Sequence, residues 1–140
     1  MSLSLNELKS FLDEKVDQYN SLSFIAPDPI SIPHQFSQKK DIEISGFLAA
    51  TIAWGKRTMI INSCNKLMNL MGNNPYDFIL NHRNEDLRPF EDFCHRTFQP
   101  TDILYFIDFL KRHYTENESL ESAFSQHISP TDSNIENGLI

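Results

Sequence analysis

The run from Asp41 to Trp54 constrains this chain more than any other stretch. Ile42, Ile44, Phe47, Leu48, Ala49, Ala50, Ile52, Ala53 and Trp54 are all apolar. The run exceeds the ~4–8 residues of a buried strand and is rich in alanine, so it reads as a helix. A helix apolar on nearly all sides belongs at the centre of a helical domain. Ser45, Gly46, Ala49, Ala50 and Ala53 would let neighbouring helices approach closely, and Gly55 supplies a stop.

Amphipathic helices to cover that centre are legible on both sides of it. Leu5, Leu8, Leu12, Val16 and Tyr19 share one face of a helix from Leu5 to Tyr19, and Ser4 with Glu7 forms a capping box. Ile60, Cys64, Leu67, Met68 and Met71 define a second helix from Thr58 to Met71, ended by Gly72. Asn74-Pro75 opens a short third. Ile103, Phe106, Ile107, Leu110 and Tyr114 predict a long helix from Thr101 to Tyr114, and Glu118 to His127 a shorter one. Between Asn20 and Ser37, Pro27, Pro29 and Pro33 forbid a continuous helix, so this segment is expected to form an extended strap pinned by apolar residues. Residues 82–99 read as irregular, anchored by Phe90, Phe93 and Phe98. No segment alternates as a strand does. The expected fold is all-α, an irregular orthogonal bundle of helices with a proline strap.

At 140 residues the length allows one domain, here residues 1–128. Beyond it, Ser129-Pro130-Thr131-Asp132 forms a turn in which Asp132 is placed to cap a new helix, and Ile135 and Leu139 open an apolar stripe. The expectation is an incomplete helix, and hence a chain that is the N-terminal part of a longer protein.

Composition narrows the function classes. Hydrophobic residues make up 40% of the chain and charged residues 22%, which is ordinary globular usage. No apolar run reaches the ~18 residues of a membrane span, and no charged-then-apolar leader is present; a cytoplasmic protein with no membrane association is expected. Two cysteines, Cys64 and Cys94, are too few for a disulfide scaffold or a cysteine zinc site. His34, His82, His95, His113 and His127 form no pattern that places ligands on one helix face, so neither metal nor cofactor is expected. With four glycines there is no phosphate-binding loop and no dinucleotide fingerprint.

The net charge of −7 argues against a general nucleic-acid coat. It conceals one exception. Residues 38–57 are net positive through Lys39, Lys40, Lys56 and Arg57. Lys56 and Arg57 beside Trp54, in an exposed turn, are placed to meet a phosphate and an unstacked base. The competing reading is a solvated turn with Trp54 in the core. Asp41 and Glu43, at the start of the central helix, are expected to complement its positive end. Asp28 and His34 are expected to cap and pin the strap, with a small-molecule enzyme built on them as the other option.

Several of these residues also carry a resemblance. Phe24-Ile25-Ala26-Pro27-Asp28-Pro29-Ile30-Ser31-Ile32-Pro33-His34 and Asp41-Ile42-Glu43-Ile44 resemble the signatures of a bacterial conserved family of unknown function. So do Phe47 to Arg57, containing Ala53-Trp54-Gly55-Lys56-Arg57, then His95-Arg96-Thr97-Phe98 and Asp102-Ile103-Leu104. The resemblance runs from about Tyr19 to Phe124, and its signature residues are Asp28, Pro29, Pro33, His34, Asp41, Glu43, Gly55, His95 and Arg96. That family is distantly similar to the helix-hairpin-helix DNA glycosylases of the endonuclease-III type. The similarity implies that Phe47 to Leu70 forms a helix–loop–helix with Gly55-Lys56-Arg57 as a wedge into DNA, and that Trp54, Lys56 and Arg57 touch nucleic acid. It also implies that the hairpin and catalytic Asp lie beyond position 140, so no catalytic residue is assigned. Two functions are therefore expected as alternatives. One is a glycosylase-like scaffold that binds DNA and takes part in base excision when full-length. The other is a non-catalytic helical domain that binds a protein or itself through apolar surface.

Overall fold

The computed structural model describes residues 4–139, and among them there are helices and turns but no strand. Seven α-helices follow in order: α1 (Leu5–Tyr19), α2 (Leu22–Ile25), α3 (Lys39–Thr51), α4 (Arg57–Leu70), α5 (Pro75–Asn81), α6 (Pro100–Glu116) and α7 (Glu121–Ser125). The all-α expectation holds.

Helix α3 is central but one-sided. It buries Ile44, Ser45, Leu48 and Ala49, with Ile52 just beyond its end, against α4, α5 and the proline segment. Ile42 is 39% exposed, and Ala50 and Ala53 are open. Burial on nearly all sides is thus corrected: Gly46, Ala50 and Ala53 line a surface groove. Helix α4 buries Ile60, Cys64, Leu67 and Met68, as its period requires. Helix α6 starts at Pro100, whose missing N–H costs nothing in a first turn. It then presents Ile103, Ile107 and Leu110 to the core. The stretch before it, expected to be irregular, contains a 3-10 helix, Asn84–Asp92, and the completely buried Phe90 and Phe93 anchor it, each worth about 1.5–3 kcal/mol of burial.

The proline segment is more compact than an extended strap. After α2 it folds into two 3-10 turns, Pro29–Ser31 and Pro33–Gln35. Pro29 and Pro33 take the first positions of these turns, where φ suits the ring and no donor is needed. Ile32 between them is fully buried.

Asp41 stands in the first turn of α3, as expected, but both it and Glu43 also reach other helices. Asp41 Oδ1 accepts from the Tyr76 N–H of α5 at 2.9 Å. Glu43 accepts from the Tyr114 hydroxyl at 2.8 Å, the Ser119 hydroxyl at 2.6 Å and the Leu120 N–H at 2.9 Å. The two carboxylates cap the starts of α5 and α7, where N–H groups lack helical partners.

The tail also differs from expectation. Asp132 accepts from the Ser129 N–H at 2.8 Å and closes the turn behind it instead of capping a helix. A single 3-10 turn, Glu136–Gly138, follows and packs against α7. Gly138 lies so close to the Phe124 carbonyl that a Cβ there would collide with it. Ile135 and Leu139 are exposed.

Candidate nucleic-acid interface

Helix α3 ends at Thr51, and the chain reverses through Ile52 to Lys56 before α4 begins at Arg57. Gly55 has φ of 111°, a conformation that disfavours any side chain. Its open face is covered by Arg96: a Cβ on Gly55 would lie 3.3 Å from both Cδ and Nη1 of that arginine. Arg96 reaches this position because it opens a tight turn closed by reciprocal His95 and Phe98 backbone hydrogen bonds of 3.0 and 2.9 Å. The turn holds Arg96 at φ 56°, an uncommon conformation for a non-glycine residue.

Beneath the turn lies His95, 3% exposed. Its Nε2 is 3.1 Å from the Trp54 carbonyl and its Nδ1 is 2.8 Å from the Ser63 hydroxyl. The carbonyl only accepts, so Nε2 carries a proton, and in the neutral ring Nδ1 accepts from the Ser63 hydroxyl. One buried imidazole therefore ties the α3–α4 turn to α4 and to the Arg96 turn. Trp54 is half-buried, its ring edge-on to His95 at 5.4 Å and to Phe98 at 6.4 Å. It braces the turn from inside.

Arg57 is held on two sides. Its Nε is 3.7 Å from Asp28 Oδ2, and its guanidinium lies 5.5 Å from the Phe24 ring centre. Asp28 also caps the first proline turn, accepting from the Ile30 N–H at 3.0 Å. Lys56 is exposed, and the start of α4 has neither a side-chain cap nor an acidic residue in its first turn. Free backbone N–H groups, the positive end of a helix of 14 residues and three cations therefore share one corner. Alongside runs an open groove of about 530 Å³, lined by Asp28, Pro29, Pro33, Ala49, Ala53 and Arg57 among others.

The structure brings together most of the residues singled out in the sequence. Asp28, Pro29, Pro33, Gly55, Lys56, Arg57, His95 and Arg96 surround the corner and its groove. His34 is exposed and outside the groove lining, and it makes no contact with Asp28 that would form an acid–base pair. Asp41 and Glu43 serve the helix junctions described above. Burial pushes the Glu43 carboxyl up, but donors from Ser119, Leu120 and Tyr114, with Lys39 nearby, outweigh it and hold it below the usual carboxylate range. Burial and the Glu43 contact push the Tyr114 phenol well up. Burial also lifts the Cys64 thiol to about 12, which leaves it unreactive at neutral pH. Among the described residues no three His, Cys, Asp or Glu side chains converge as metal ligands would. No helix of the described residues is long and apolar enough to cross a membrane.

The role of Arg96 beside the basic turn was not visible in spacing, since 41 positions separate it from Gly55. The family signature marked both residues, which was the available signal. Comparison with protein families gives a match to the model described as protein of unknown function (DUF2400), over residues 28–140. The chain belongs to the DUF2400 family. The DUF2400 match takes in the proline turns, the basic corner and the His95 anchor. Neither a curated protein nor a solved structure matches the chain.

Proposed function

We propose that this DUF2400 chain is the helical scaffold of a nucleic-acid-binding protein, and that the α3–α4 corner is its phosphate contact. The observation that carries the reading is the convergence of Lys56, Arg57 and Arg96 on the uncapped start of α4, over a buried His95. Such a corner offers backbone N–H groups and cations to phosphate oxygens, which positions a protein on a duplex without reading sequence. We further propose, from the resemblance of the sequence signatures alone, a role for the full-length protein in base excision like that of helix-hairpin-helix glycosylases, with this part supplying the wedge side. Enzymes of that kind take the base out of the stack, and a protein element fills the gap. Trp54 then acts by holding the turn, and Lys56 and Arg57 make the contact. No catalytic residue is assigned.

The test is duplex and mismatched DNA binding by fluorescence anisotropy across a salt series. Each lost phosphate contact reduces the salt slope by about 0.9. Lys56→Glu and Arg96→Glu should each weaken binding and flatten the slope, with circular dichroism unchanged. No salt-sensitive binding, or binding indifferent to both charge reversals, overturns the reading. A second reading, a non-catalytic interaction domain, is favoured by a different feature, the exposed apolar face of α1.

A further inference from the structure

The groove beside the basic corner has a charged mouth and an apolar floor. Its 530 Å³ is the size of a small-molecule site. Ala49, Ala50 and Ala53 form the floor, with Pro29 and Pro33 along one side. Ala50 and Ala53 are exposed, and Ile30 on the rim is 47% exposed. Apart from Asp28 and Arg57 at the mouth, the lining offers no polar side chain, and it contains no aromatic ring. The Asp28 side chain is only 21% exposed, and its Oδ1 accepts from the Ile30 N–H. Its Oδ2 has Arg57 Nε at 3.7 Å, beyond hydrogen-bond distance. Two opposite charges thus stand side by side with hydrogen-bonding capacity unused. The helix ends repeat that polarity: the end of α3 favours a cation, and the start of α4 an anion.

We infer that this groove binds a free aliphatic α-amino acid of leucine or methionine size. Its ammonium sits on Asp28, its carboxylate on Arg57, and its side chain lies along Ala49, Ala50 and Ala53. A zwitterion is the ligand that brings adjacent opposite charges on one small apolar body. Other occupants match less of the site. A fatty acid supplies the anion but leaves the largely buried Asp28 carboxylate without a cation of its own. A nucleobase presents a neutral edge, and the lining has no ring on which it could stack. An amino acid with a polar side chain would bury that group on a floor with nothing to hydrogen-bond it. A chain terminus of a protein carries only one of the two charges. The inference does not rest on the nucleic-acid reading, with which it shares Arg57 alone.

Calorimetric titration of the whole chain with L-leucine or L-methionine should show binding with a dissociation constant on the order of 100 μM, within the reach of so small a ligand. N-acetylleucine lacks the ammonium and leucinamide the carboxylate, and each should bind about tenfold more weakly. Glutamate should not bind. Ala50→Leu, at an exposed position of α3, fills the floor and should abolish binding with circular dichroism unchanged. Asp28→Asn should weaken leucine about tenfold and leave N-acetylleucine unchanged, and Arg57→Gln should weaken leucine and leave leucinamide unchanged. Absence of binding by both amino acids at about 10 mM overturns the proposal. So does binding undiminished by Ala50→Leu, or N-acetylleucine and leucinamide binding as well as leucine. Guanosine binding in place of leucine overturns it in favour of a base. The titration contains no DNA, so its failure leaves the nucleic-acid reading to be decided by its own salt series.

Discussion

Arg96 lies across Gly55, its Cδ and Nη1 each 3.3 Å from where a Cβ on that glycine would sit. The glycine's φ of 111° strains any side chain there, and the arginine would have to shift to admit a Cβ. Gly55→Ala should therefore cost about 1–3 kcal/mol, read as a lower midpoint in urea unfolding. Gly72→Ala, at φ 64° with open space around it, should cost less because only the backbone objects.

His95→Ala removes the partner of both the Ser63 hydroxyl and the Trp54 carbonyl and opens a cavity under the turn. The expected loss is about 2–4 kcal/mol by denaturant unfolding. Ser63→Ala removes one hydroxyl and should cost about 1 kcal/mol. Equal losses in the two variants would show that His95 does not act on the turn separately from Ser63.

Asp28 neutralises part of Arg57 through the 3.7 Å ion pair. Asp28→Asn keeps a side-chain oxygen for the Ile30 cap but frees the guanidinium. Under the nucleic-acid reading, DNA affinity at low salt should rise several-fold and the difference should fade as salt screens it. Unchanged affinity would separate Arg57 from the contact.

Glu43 sets a pH dependence. Its folded carboxyl is held below the usual range, so its contribution to stability is complete above the ordinary carboxylate pKa. That contribution is lost as pH falls through the depressed folded value. Urea midpoints measured from pH 7 downward should fall in this acid window, and Glu43→Gln should be less stable at pH 7 with a shallower acid decline.

The two cysteines should separate cleanly in thiol titration. Cys94 is exposed, whereas Cys64 is buried with its thiol pushed up to about 12. At pH 8 one thiol should react promptly with an aromatic disulfide and the other only on unfolding.

What the sequence revealed and what it hid divide along a physical line. Helices α1, α4 and α6 follow from apolar residues three and four apart, because that period is a local property of the chain. The proline segment departs from the extended expectation because Pro29 and Pro33, though excluded from an α-helix interior, suit the first position of a 3-10 turn. The partners of Asp41 and Glu43 were beyond local reading. Their acceptor oxygens serve Tyr76 and Ser119, 35 and 76 positions away. The same holds for the site: Lys56 and Arg57 stood out as a pair, but Arg96 and His95 joined them only through a turn 41 residues downstream of Trp54.

The long reach of the α3 carboxylates bears on how the chain assembles. Helices α5 and α7, of 7 and 5 residues, are far below the length at which a helix persists alone. Their starts are completed by groups at the opposite end of the covalent path, so they gain protection only when α3 has docked. In native-state hydrogen exchange the first amides of α5 and α7 should open with α3 as one cooperative unit. The frame of this domain is thus closed by two carboxylates two residues apart, and loosening that single helical turn should release both distant junctions together.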